Sequence, residues 1–448
     1  MKRLNALLER ADEGLRRGLL NGRLPGCLPG MCTFAAFFLL MMTRTLTQLA
    51  GTQTAERAAA VLVLCLPLGA MLAFAMRLAR SQEGGLLMQL GLCALCALAM
   101  LARVSFIERS SGDYDIYLAD WIAKLAAGSF SEGMRANIGE YNVLYQYILF
   151  VITRLGVPAL YAVKAVSFIG DAFLAGAAAK LAGRKNGLLA FGAVLLLPTV
   201  VLNGGMFAQC DSLYAACALW GLALALGDRP AASAACFALS LAFKLQSAFL
   251  LPIVIVLWAG GKLKVRDVLI FLLTLLCVML PALLGGKSLA SIVGVYTAQT
   301  GLYTGLNYNA ASFFGLMETA GLDVYAYGNF GLSLAFGACA LLVMAGVRRA
   351  ESMTDRETVR LALLMVLLIV FLLPRMHERY FYMAVPLSVA LACRRGGRPV
   401  IAAALIELGM LATCWTLAIP LAAASAMMLA AAVLILSDGN CSEDRTVL

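Results

Sequence analysis

Histidine is almost absent from this sequence: its 448 residues contain one. A metal centre built from several imidazoles is therefore excluded, and no cysteine spacing is backed by a nearby histidine to replace it. Charge is scarce as well, at 13% of residues against about a quarter in an ordinary soluble domain. With 62% hydrophobic residues and a mean hydropathy of +0.88, a soluble globular fold is excluded too. The period-two alternation of a membrane β-barrel is missing, which leaves helices as the spanning element. Acids are rarer than bases, 25 against 35, but the net charge of +10 is scattered over many short loops and forms no nucleic-acid patch. The thirteen cysteines lie mostly in apolar runs, among them Cys65, Cys93, Cys96, Cys217 and Cys277, so no disulfide framework is expected. Cys93 and Cys96 form a CxxC inside such a run, which reads as packing in preference to redox chemistry.

What the chain does have is a succession of apolar runs approaching the roughly 20 residues that cross a bilayer. They predict helices near 31–50, 58–76, 85–104, 161–182, 187–202, 210–227, 230–243, 246–260, 267–285, 329–347, 359–374, 379–393, 399–416 and 419–436. The expected fold is an all-α, polytopic integral membrane protein of about 14 (12–14) spans, with one transmembrane domain over 31–436. Residues 1–30 set Lys2, Arg3, Arg10, Arg16, Arg17 and Arg23 around Leu4, Leu7, Leu8, Leu15, Leu19 and Leu20, as in a basic amphipathic helix on the cytoplasmic surface. With that end inside, Arg77 and Arg80, Arg184 and Lys185, Lys262, Lys264 and Arg266, Arg348 and Arg349, and Arg394, Arg395 and Arg398 fall in the cytoplasm, as does a tail over 437–448. The run 141–155 reads either as a short span or as a surface helix. The surface reading keeps Arg184 and Lys185 inside and makes 105–160 one large external loop, with a second long one at 286–328.

On this topology the polar clusters share the outer side. The first loop holds Asp113, Asp115, Asp120, Trp121 and Asn142. Asp211 closes a glycine-bearing turn at 203–212, Lys244 and Gln246 interrupt two apolar runs, and Tyr303 lies in the long loop. Arg375, His377, Glu378 and Arg379 form a late basic cluster. Taken singly, each is an ordinary wet loop or a helix-end residue reaching for the interface. Together they supply arginines that fork onto a phosphate, carboxylates suited to a general base, and aromatic faces for a sugar ring.

At these residues the sequence resembles the GT-C glycosyltransferases, most closely bacterial membrane proteins related to GPI-anchor mannosyltransferase II. The resemblance runs over about 105–395 in ordered blocks: SGDYDIYLADW, GEYNVLYQYILFVITRLG, KAVSFIGDAFLA, GGMFAQCDSLY, FKLQSAFLLP and FLLPRMHERYFY. The HER of the last block is also similar to the HEK signature of the glucosyltransferases that extend dolichol-linked oligosaccharides. The resemblance implies a GT-C fold and an inverting enzyme with a polyprenyl-phosphate-linked sugar, mannose or another hexose, as donor. A glycan, lipid or protein accepts the sugar on the extracytoplasmic face of the cell membrane. It assigns Asp113 as general base and Asp115 to the second acidic position, which in some members holds a metal. His377, Glu378 and Arg379 would lie near the donor phosphate. No cofactor is called for, and a divalent metal is not indicated by the residues. The sequence departs from the pattern in the offset of Trp121, in Tyr-Asn-Val-Leu where related transferases have a YPPL-like block, and in two extra early spans. The rival expectations are a flippase or exporter of lipid-linked glycans, and a polymerase or ligase using a diphosphate-linked donor.

Overall fold

The computed structural model describes Glu13 and residues 28–139, 141–301, 303–414 and 417–438. The helix expected over 1–30 and the tail over 437–448 lie almost wholly outside the described residues. In chain order come α1 (Leu28–Thr43), α2 (Thr54–Ser81) and α3 (Leu86–Val104), then three short helices, α4 (Ala119–Ala126), α5 (Phe130–Arg135) and α6 (Val143–Ile152). α7 (Ala159–Ala182), α8 (Gly187–Leu196), α9 (Pro198–Gly205), α10 (Asp211–Leu226), α11 (Pro230–Phe243), α12 (Ile253–Ala259) and α13 (Asp267–Leu284) follow. The rest is α14 (Leu289–Gly301), strand β1 (Asn307–Tyr308), α15 (Phe313–Leu316), α16 (Val324–Arg349), α17 (Asp355–Leu372), strand β2 (Met376–His377), α18 (Ala384–Arg395), α19 (Arg398–Cys414) and α20 (Leu421–Ser437).

Local chemistry sets many of these boundaries. Gln53 and Glu56 close a capping box at the start of α2, and Thr354 and Glu357 do the same for α17. The 187–202 run breaks at Leu197, where Pro198 cannot donate the next helical bond, and α8 and α9 meet at a 48° bend. The 246–260 run is also not one helix: a 3-10 turn at Leu245–Phe249 precedes Pro252 and α12. α1 stops at Thr43 instead of reaching 50, and α18 starts at Ala384 because 375–383 is turn and strand.

Among the described residues five helices, α2, α3, α7, α13 and α16, are long and apolar enough to cross a membrane, or six if α8 and α9 form one bent span. The chain is thus an α-helical protein with membrane-spanning character. Most of the other expected spans are helices of 10–17 residues; the 14 residues of α11 rise only about 21 Å, short of a hydrocarbon core of about 30 Å. In α13 and α16 only 11% and 17% of the apolar window is buried by the protein. Leu269, Leu272, Leu273 and Leu276 form an exposed apolar face, of the kind that hydrocarbon accommodates and water does not.

The main core gathers α2, α3, α7, α10, α17 and α18. A second, smaller core lies beneath α4–α6, where Leu125, Met134, Leu149 and Ile152 pack with Ala282 and Ile292. α7 and α10 approach so closely at Gly170 that a Cβ there would lie 2.5 Å from Ser212 Oγ.

Among the described residues one ion pair is wholly buried. Arg103 Nε donates to Asp171 Oδ2 at 2.8 Å, with both side chains fully buried, and Arg103 Nη1 donates to the Ala99 and Leu195 carbonyl oxygens at 2.9 Å. Lys164, on the same helix, is not the partner of Asp171: seven residues along the helix separate them by about 10 Å. Lys164 instead donates to the carbonyl oxygens of Phe106, Ile107 and Arg109, which holds the 105–109 segment against α7. Since the remaining ion would be buried alone, Arg103→Leu is expected to cost about 3–5 kcal/mol of unfolding free energy in detergent. The Arg103→Leu, Asp171→Leu double variant is expected to recover most of that loss in the same unfolding measurement.

Candidate active site

α7 at Ala159, α10 at Asp211 and α18 at Ala384 begin at the same end of the bundle, while α3 ends there and delivers the acidic segment. Ser111 Oγ donates to the Phe207 carbonyl oxygen at 2.9 Å, fastening the SGDYD segment to the turn before α10. Residues Tyr114–Leu118 form a π-helical turn, closed by the Ala119 amide on the Tyr114 carbonyl. Asp113 sits on the near side of that turn.

The late basic cluster reaches it. Arg379 Nη1 donates to Asp113 Oδ2 at 2.7 Å across 266 positions of sequence, and Gln209 Nε2 donates to the same oxygen at 2.9 Å. Asp113 Oδ1 takes no hydrogen bond from the described residues, and its side chain is 46% exposed. Behind this pair, Lys244 Nζ donates to Asp211 Oδ1 at 2.5 Å and lies 5.2 Å from the Tyr141 ring centre. Asp211 is the first residue of α10, where a carboxylate also meets the positive end of the helix dipole. Burial opposes the charge on Arg379, yet Asp211, Glu378, the Tyr141 hydroxyl and Asp113 hold its pKa above the ordinary guanidinium value. Burial likewise opposes Lys244, and Asp211 more than offsets it, so the ammonium is firmly charged. Buried Asp211 Oδ2, Gln246 Oε1 and His377 Nε2 have no hydrogen-bond partner among the described residues, which marks the cluster as a place for water or a polar ligand.

The fold supplies a device that periodicity does not announce. β1 and β2 pair in parallel, Asn307 with Met376 and Tyr308 with His377, so the long loop and the basic segment become one unit. His377 stacks on Tyr308 at 4.8 Å between ring centres and meets the Tyr303 ring edge at 4.3 Å. Arg375 adopts a left-handed backbone, φ 62°, while its amide donates to the Leu306 carbonyl at 2.8 Å. Such a conformation in a non-glycine residue is held only by its surroundings. Beside it opens a cleft of about 530 Å³ between the 245–249 turn, α16 and the 373–380 segment, with Phe249, Leu332 and Leu373 on its apolar walls and Arg375, Gln246 and Tyr303 as polar lining. Two larger hollows lie elsewhere in the molecule.

The structure therefore brings Asp113, Asp211, Lys244, Glu378 and Arg379 together, with His377, Arg375 and Gln246 alongside. It does not bring the other expected residues to the charged cluster in the same way. Asp115 accepts from Ser110 Oγ at 2.8 Å and is exposed, and Asp120 pairs with Lys124. Asn142 caps α6 through its own Oδ1, and Trp121 packs edge-on against Tyr141 and over Gly139. Gln209, Tyr141 and Tyr308 join the site as well, although the sequence shows them only as members of a polar turn, an apolar run and a long loop. Gln209 stood in the glycine-bearing turn next to Asp211, which was the one signal available for it. Among the described residues no group of three or more His, Cys, Asp or Glu side chains is gathered for a metal. No protein-family model and no curated protein matches this chain.

Burial, then Arg379 and Lys244, lower the pKa of His377 from 6.5 to about 4, against a smaller pull from Asp113. Because the unfolded chain binds this proton more readily, the group costs no stability above about pH 6.5, and stability falls as the pH drops from there toward 4. His377→Gln is expected to remove that part of the acid-side decline in the thermal unfolding midpoint, measured from about pH 7 to about pH 4.5.

Proposed function

We propose that the chain is an inverting membrane glycosyltransferase of GT-C type, moving a hexose from a polyprenyl-phosphate-linked donor to a hydroxyl acceptor on the extracytoplasmic face. The observation that carries this reading is the meeting of Asp113 with Arg379, which joins an acid at a reacting hydroxyl to the cations of a phosphate site. In this reading 105–160 and 286–328 are the two outer loops, and some of the shorter apolar helices complete a topology of about 14 spans.

The acceptor hydroxyl lies at Asp113 Oδ1, the oxygen that Arg379 and Gln209 leave open, and gives its proton there as its oxygen attacks the anomeric carbon. The bond from that carbon to the phosphate oxygen breaks on the opposite face, so configuration inverts and the lipid phosphate leaves with the electron pair. Arg375 lies in the cleft where the phosphate would rest, and Arg379 follows four residues later beside Asp113; fixed cations at a departing anion lower the barrier electrostatically. The apolar walls of the cleft suit the isoprenoid chain, and Tyr303, Tyr308 and His377 provide the flat faces for a sugar.

A second reading is favoured by one observation. Arg103 Nη2, Asp171 Oδ1, both ends of the Asn203 amide and the Tyr382 hydroxyl are buried among the helices without hydrogen-bond partners from the described residues. Polar groups inside the bundle are what a carrier of lipid-linked sugars needs.

Purified protein offered a panel of polyprenyl-phosphate and polyprenyl-diphosphate sugars, with products read by mass spectrometry, separates these. A monophosphate donor is expected to give product, and Asp113→Asn to reduce turnover by about 10²–10⁴ with insertion and thermal stability unchanged. Wild-type turnover in that variant would remove the general-base role. Product only from diphosphate donors would favour a polymerase or ligase, and movement across vesicles without product a carrier. Arg375→Gln is expected to raise KM for the donor by about tenfold or more, with a smaller change in kcat, if the arginine holds phosphate in the ground state.

A further inference from the structure

Three of the helices that begin at the candidate site, α7, α10 and α18, end together at the other end of the bundle, and α2 ends with them. Their last turns and following residues carry Arg77, Lys180, Arg229 and Arg394. These residues line a basin of about 760 Å³, walled on its apolar side by Phe74 and Trp220. The cations there are not equivalent. Arg184 donates to the Ser81 carbonyl, and Arg394 donates to the Leu181 carbonyl and lies 3.8 Å from Asp355. Arg77, Lys180 and Arg229 are exposed and make no side-chain hydrogen bond or ion pair with the described residues. Three unmatched cations against one carboxylate, already facing Arg394, give the basin a positive field.

A second hollow adjoins it. A groove of about 830 Å³ runs between α1 and α2, lined by Gly30, Met31, Phe34, Leu72, Ala73 and Met76, and Arg77 belongs to both hollows. The groove is apolar for most of its length and ends at Arg77 and Arg80. An apolar slot that runs into a cationic basin matches a molecule with a hydrocarbon chain on a phosphate. A free phosphate would use the basin alone, and a zwitterionic headgroup would leave the three cations partly unmatched.

We propose that groove and basin together form one binding site for an anionic phospholipid, its phosphate among Arg77, Lys180 and Arg229 and an acyl chain between α1 and α2. The site lies in the leaflet away from the candidate active site and follows from the membrane character of the chain, independently of sugar transfer. Surface cations beside an anionic leaflet add to such binding in proportion to their number.

Native mass spectrometry of the full chain in non-ionic detergent, titrated with phosphatidylglycerol, phosphatidylcholine or inorganic phosphate, tests it. One phosphatidylglycerol is expected to be retained about tenfold or more tightly than phosphatidylcholine. The Arg77→Gln, Lys180→Gln, Arg229→Gln variant is expected to lose that preference. Ala73→Phe, which fills the groove and leaves every cation, is expected to weaken phosphatidylglycerol while leaving inorganic phosphate unchanged. Each variant is compared at an unchanged thermal midpoint; if the triple variant unfolds, Arg77→Gln and Ala73→Phe alone give the reading. Equal retention of the two lipids, or an unaltered preference in both single variants, overturns the proposal. Inorganic phosphate bound as tightly as the lipid overturns it in favour of a soluble-anion site.

Discussion

A carboxylate or cation taken out of water must find an opposite charge or enough hydrogen bonds, and in a chain this apolar few alternatives exist. The arrangement of Arg379 with Asp113, Asp211 and Glu378, and of Lys244 with Asp211, answers that requirement at one end of the bundle. The rest of the candidate site depends on it. The π-helical turn places Asp113, the turn before α10 places Gln209 and Asp211, and the β1–β2 pairing holds the segment that carries Arg379. Each of these local structures is irregular, and each lies where a regular helix would have pointed the side chain elsewhere.

The second buried pair, Arg103 with Asp171, obeys the same requirement deeper in the bundle. It ties α3 to α7 and, through the Leu195 carbonyl, to α8 just before the bend at Pro198. Lys164 is satisfied by the carbonyl oxygens of Phe106, Ile107 and Arg109 in the turn that follows α3. The scaffold under the site is thus cross-linked by a few charge-assisted hydrogen bonds embedded in apolar packing, and the acidic segment starts from a fixed point. At the far end the cations Arg77, Lys180 and Arg229 remain open to a ligand, so the molecule is polarised along its helices.

The all-helical class was legible because long apolar runs leave no other way to satisfy a backbone in hydrocarbon. Helix number was less legible. Runs such as 246–260 are apolar enough to read as one element, yet Pro252 and the short polar stretch at Gln246 and Ser247 turn the chain into a 3-10 turn and a short helix. Within the site, Asp113, Asp211, Lys244 and Arg379 stood out because charge is costly in such a sequence. Gln209 and Tyr141 did not, since an amide or a phenol near an interface has many uses and only its neighbours say which one applies. Asp115 shows the converse: two positions from Asp113, it is equally conspicuous in sequence, but the turn directs it to Ser110.

The pattern of apolar runs determined that the chain is helical, that it has the character of a membrane protein, and that most of its rare charges fall at the ends of those runs, because hydrophobic burial and backbone hydrogen bonding act on any such sequence alike. Tertiary structure alone decided which charges meet. Whether Asp171 takes Arg103 or Lys164, and whether Arg379 reaches Asp113 across most of the chain, depends on ångström-scale distances between helices. A linear pattern does not contain those distances, because electrostatic pairing follows separation in space and not order along the chain.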